Sequence, residues 1–159
     1  MATDILGSMK ERLEDDLTGI SRTEEGLRAV MDSRYGEIVV RVDHDVEAAS
    51  VRVSVVVPPP AGAGPDFLVW CLSINAQYWD VKIGLDDDGL LLVHADLDAE
   101  PSADVASLTT LVIDRVDTIV ELLDDDLVPF LLEHGLGTPP QQTRWRARGE
   151  REERDEHDA

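Results

Sequence analysis

The chain has 159 residues, with 14 Lys and Arg against 34 Asp and Glu, a formal net charge of −20 and only 4% aromatic residues. That length suits one domain with a single core plus a tail, and the core must be built from Val, Leu, Ile and Ala. The charge excludes generic binding to nucleic-acid phosphates, which needs a clustered basic surface, and favours basic or amphipathic partners over anionic membrane.

The single cysteine, Cys71, excludes an intramolecular disulfide and a cysteine-based zinc site. The opening MATDILGSMKERLEDDL carries acidic residues early and no long apolar region, so it does not read as a signal peptide. No stretch of about 18 apolar residues exists to span a bilayer, and a cytoplasmic location is expected.

Residues 4–17 predict an amphipathic helix, because Ile5, Leu6, Met9, Leu13 and Leu17 recur at three- and four-residue spacing. Glu14, Asp15 and Asp16 oppose the helix dipole there, so packing must hold this helix. Residues 19–34 admit two readings. Ser21 and Glu24 form a capping box ahead of Leu27, Val30 and Met31, which argues helix. Leu27, Ala29 and Met31 also alternate with Arg28 and Val30, between Gly26 and a turn at 33–36, which argues strand.

EIVVRVD (37–43) and SVRVSVVV (50–57) are β-branched and largely alternating, with Arg41, Arg52 and Ser54 on an outer face. HDVEAA between them reads as a hairpin loop. PPPAGAGP (58–65) ends that part of the sheet, and Pro65 suits the first position of a helix. DFLVWCLSINAQYW is apolar on most sides, as expected of a helix buried in the domain or against a second subunit.

WDVKIGLD (79–86) and LLLVHADL (90–97) predict two strands joined at Asp88-Gly89, a dipeptide suited to a type I′ turn. A long helix over residues 103–127 follows, with Val105, Leu108, Val112, Ile119, Leu122 and Leu123 on its apolar side. Pro129 is expected to end or kink it, and Gly135 to terminate the last turn. From Thr138 onward the composition changes. PPQQ reads as a linker, and residues 144–159 hold five Arg, six Asp and Glu and one tryptophan. The expected division is a domain over 1–137 and a charged, disordered tail over 138–159.

Asp86, Asp87, Asp88 and His94 are the residues most suggestive of a metal or acid–base site. A calcium loop needs carboxylates at alternate positions and a distal glutamate, whereas these aspartates are adjacent and flanked by strands. Consecutive strand residues point to opposite faces, so the three carboxylates do not converge. A hairpin turn is the better reading. Asp124–Asp126 read as the solvated end of the long helix, and His44 and His134 have no partner at metal spacing. The sequence holds no G-x-S-x-G, P-loop or G-x-G-x-x-G motif. The expectation is therefore a protein that is not an enzyme, with no catalytic residue, cofactor or metal.

The residues 67–97, FLVWCLSINAQYWDVKIGLDDDGLLLVHADL, carry a family resemblance. An apolar helix ends in Asn75-Ala76, a strand follows, then an acidic turn closes on Gly89, and an aliphatic strand leads through Leu97 to a long helix. This pattern resembles YbjN-type proteins, similar to the type III secretion chaperone fold, over roughly residues 4–127. The resemblance implies an α+β fold, an antiparallel sheet with helices packed on it in the order α-β-β-β-α-β-β-α. It tips residues 27–32 towards strand. It also implies a non-enzymatic, usually dimeric protein that holds a peptide or partner protein on apolar patches, or a regulator that senses a ligand or partner. Phe67, Trp70, Leu72, Ile74 and Trp79 are the expected protein-binding or homodimer residues.

Overall fold

Strand formation follows from the alternation of β-branched residues, and the computed structural model, which describes residues 4–60 and 62–136, shows where that alternation leads. Six strands form one antiparallel sheet in the order β1-β2-β3-β4-β6-β5. They are β1 Ser21–Arg22, β2 Leu27–Ser33, β3 Gly36–Asp45, β4 Ser50–Val57, β5 Lys82–Leu85 and β6 Leu91–Asp98. Helices α1 Ile5–Leu13, α2 Pro65–Gln77, α3 Val105–Glu121 and α4 Val128–Glu133 pack on one face of it. The expected α+β order is present, with the two-residue β1 added at one edge. The tail expected over 138–159 lies outside the described residues.

Register fixes what each face carries. Ala29, Val40, Val55, Val93 and Ile83 are successive cross-strand partners, all buried. Burying each such aliphatic side chain contributes about 1.5–3 kcal/mol. One residue along, Arg28, Arg41, Ser54, His94 and Lys82 form the matching row on the opposite face, which no helix covers. Arg41, Arg52 and Ser54 do lie on the outer face, although Ser54 is shielded by its neighbours.

Residues 27–33 are strand, and the capping-box reading of Ser21 and Glu24 fails. The decisive position is Gly26, at φ 153°, where a Cβ would sit 2.4 Å from the Val42 carbonyl oxygen. Only glycine permits that approach, which lets Leu27 pair with Val42. The first helix is shorter than expected. Asp4 caps it by accepting from the Gly7 N–H at 3.1 Å and pairing with Arg22, and it stops at Leu13. A following turn, with the Leu17 N–H donating to the Leu13 carbonyl, returns Leu17 to the core.

Pro129 does not end the long helix. Residues Leu122–Leu127 are π-helical, and the Val128 N–H donates to the Leu123 carbonyl five residues back. The wider turn accommodates the proline ring, and α4 continues to Glu133. Asp124–Asp126 therefore lie inside a continuous helical run, not at its end. Gly135, at φ 62°, closes it in a Schellman motif, with Leu136 N–H bonded to the Leu131 carbonyl.

Candidate functional site

Helix α2 begins with Pro65 at its first turn and Asp66 beside it, both suited to a helix N-terminus. Its interior face is narrow. Phe67, Cys71 and Ile74, at i, i+4 and i+7, are buried, and burial pushes the Cys71 thiol up to about 11, so it remains a thiol. Trp70 is half-buried and stacks between Phe67 and Phe130 of α4, with ring centroids 5.8 and 4.9 Å apart.

The other face is apolar and open. Leu68 is 47% exposed, Val69 65%, Leu72 70% and, past the helix end, Trp79 90%. The expectation that α2 is buried all round is thus corrected. The sheet and α4 take one side, and the described chain offers nothing to cover the rest. Phe67 and Ile74 are core residues and are not part of the surface; Trp70 supports it from beneath; Leu72 and Trp79 lie on it. Trp79 precedes β5, which starts only at Lys82.

At the N-terminal end of α2 this face runs into a groove of about 420 Å³, lined by Pro59, Pro60, Pro65, Leu68, Leu85 and Gly89 among others. Leu85 is itself 46% exposed. Carboxylates surround the apolar stretch: Asp66 on α2 and Asp87 and Asp88 in the adjoining turn are exposed, while Asp80 is met by Arg115 at 3.5 Å.

Two devices hold α2 in place. The Asn75 side chain donates to the Ile83 carbonyl at 2.8 Å and accepts the Ile83 N–H at 2.7 Å, acting as a strand partner for β5. Lys82 donates to the carbonyls of Asn75 and Tyr78, both at 3.0 Å, and so caps the helix end. The Tyr78 hydroxyl donates to Asp126, which pushes its pKa up to about 12.

A family model for YbjN, described as "Putative bacterial sensory transduction regulator", matches residues 18–127. The chain belongs to the YbjN family. Among solved structures, it is similar to YbjN from E. coli, with a TM-score of 0.61 and 19% identity over 82% of this chain and 93% of that one. It is also similar to the ExsC–ExsE complex, with a TM-score of 0.57 and 16% identity over 80% of this chain and 96% of that one. At such identities the likeness establishes the fold, the chaperone-like α+β layout implied by the resemblance. A search of curated proteins gave no match.

In this YbjN-family chain the acidic turn is a turn. The Asp86 carboxylate accepts the N–H groups of Asp88 and Leu90 at 3.0 and 2.9 Å, and Gly89 sits at φ 76°. Asp88 is not left-handed, so the loop is a three-residue type I turn with a glycine bulge and not the expected type I′. No group of three or more His, Cys, Asp or Glu is placed to hold a metal among the described residues.

On the open sheet face, Asp96 is bidentate to Arg52 at 2.7 and 2.9 Å, and His94 Nδ1 lies 3.6 Å from Asp96. Burial, then the Arg52 charge, holds the His94 pKa below its ordinary value. No hydrogen bond links Ser54 to His94 among the described residues, so the three side chains do not form a relay. None of the described helices is long and apolar enough to cross a membrane. Leu68, Val69 and the proline-lined groove were not singled out from the sequence, because periodicity reveals an excess of apolar residues but not which side is left over.

Proposed function

We propose that this chain is a non-enzymatic, cytoplasmic protein-binding module of the chaperone-like kind, and that the exposed face of α2 with its proline-lined groove is where a partner docks. The observation that carries this reading is the apolar stripe Leu68, Val69, Leu72 and Trp79, left open on a folded domain. Contiguous apolar surface of this kind, rimmed by charge, marks a protein interaction site. The fitting partner is a protein segment with apolar side chains flanked by Lys or Arg, which the surrounding aspartates steer towards the surface. A second copy of the chain also fits, since residues 67–79 contain no carboxylate and two α2 faces can bury one another. The ExsC–ExsE structure, a complex of two proteins on this fold, supports protein binding. The family description supports a regulatory setting for it.

The test is a paired measurement with Leu72→Glu. Wild-type protein should sediment as a dimer or retain a partner protein on an affinity column, and Leu72→Glu should lose that association with its melting temperature unchanged. A wild-type monomer without a partner, or an association that survives Leu72→Glu, overturns the reading.

A further inference from the structure

We infer that residues 144–148, Arg-Trp-Arg-Ala-Arg, dock on the α2 face of their own chain and occupy it until a partner displaces them. This rests on the reading of α2 as a docking surface, and adds what covers it in the unpartnered protein. The place where the described chain stops is the first reason. Leu136 lies against the groove, with its Cδ2 3.7 Å from where a Cβ on Gly62 would stand, and Gly62 is a lining residue. Residues 137–143 separate it from Arg144. Seven or eight residues can span up to about 25 Å, and the 13 residues of α2 extend only about 20 Å. Trp145 can therefore reach any point of the stripe.

Charge is the second reason. In a chain of net charge −20, three arginines within five residues form its densest positive run. The exposed carboxylates nearest the groove, Asp66, Asp87 and Asp88, have no ion-pair partner among the described residues. Shape is the third. An indole fills a proline- and leucine-lined groove with large apolar area at small entropic cost, and tryptophan with arginine is the pairing most enriched at interface anchors. Docking in cis also replaces a bimolecular encounter with a high effective concentration, so a weak contact suffices to hold the surface. A client or second copy must then outcompete the segment, which makes occupancy of α2 a regulated quantity.

Heteronuclear NMR on the full chain tests this. Arg144→Glu/Arg146→Glu/Arg148→Glu, and separately Trp145→Ala, should shift the amides of Leu68, Val69 and Leu72, the Trp79 indole and residues 86–89. Signals from Arg28, Arg41 and Arg52 on the open sheet face should stay. Raising salt from about 0.05 to about 0.5 M should move the wild-type spectrum towards that of the arginine variant, since screening weakens exposed charge pairs. The wild-type shifts should not depend on protein concentration.

Unmoved α2 signals in both variants, changes centred on the sheet face, or shifts that vanish on dilution overturn the proposal. Leu72→Glu separates the two readings. If the tail variants leave α2 unmoved while Leu72→Glu still abolishes association, the tail contact alone falls. If they shift α2 while Leu72→Glu leaves association intact, partner docking falls and the tail contact stands.

Discussion

Replacing Asn75 by alanine removes the side chain that completes the hydrogen bonding of β5. Its amide satisfies both the N–H and the carbonyl of Ile83, at 2.7 and 2.8 Å, on the side of the strand turned away from β6. Ile83 is 3% exposed, so water has poor access to the orphaned pair. Each unsatisfied buried group costs about 1–3 kcal/mol, and with Asn75 only half-buried the sum should be about 2–4 kcal/mol. For a domain of this size, about 3 °C is lost per kcal/mol, which places the melting temperature about 6–12 °C lower. Thermal unfolding followed by circular dichroism, with a urea titration to confirm an unchanged m-value, measures this directly. Asn75→Asp keeps the acceptor but sets an oxygen against the Ile83 carbonyl, so its deficit should shrink as low pH restores a donor. A melting temperature within about 2 °C of wild type for Asn75→Ala would refute the idea that this clamp fixes α2.

His94 titrates below its ordinary value because burial and Arg52 oppose its charge. The unfolded chain thus binds more protons between the folded and unfolded values, and stability is lost as pH falls through the range just under the unfolded value of 6.5. His94→Gln should flatten the difference between urea midpoints at about pH 7.5 and about pH 5; equal slopes in both proteins would count against it. The two hairpins make opposite predictions: Ala49 at φ 50° and Gly89 at φ 76° are both left-handed. Ala49→Gly should stabilise by about 0.5–1 kcal/mol and Gly89→Val should destabilise by about 1–2 kcal/mol, both read from denaturant midpoints.

Much of this architecture is legible in the residues. The alternation of Val40, Val42, Val51, Val53 and Val55 encodes one buried face, and Pro65 marks the start of α2. The segment around Leu27 was ambiguous because a capping box and an alternating strand share residues, and the close approach of Gly26 to Val42, which settles it, involves a chain 16 positions away. The candidate surface was half legible. An apolar excess in residues 67–74 announces that something must cover α2, yet Phe67 and Leu72 look alike in sequence and face opposite ways. The fate of Pro129 was hidden because helix width is a tertiary outcome. It depends on Asp124 accepting the Arg34 N–H and Asp126 meeting Tyr78.

The π-helical stretch gives the second acidic triplet a meaning that has little to do with its charge. Between α3 and α4 the run Leu122–Leu127 holds one residue more than a regular helix would need for the same advance. Deleting any of Asp124, Asp125 or Asp126 would let the segment relax to ordinary helical spacing, and everything after it would swing by about 100° about the axis. Phe130 would then turn away from Trp70, whose ring it meets at 4.9 Å, and the exposed side of α2 would lose its backing. The triplet thus acts as a spacer that sets the phase of α4. Asn could replace these aspartates with modest loss, whereas shortening the run by one would unseat the stack beneath α2.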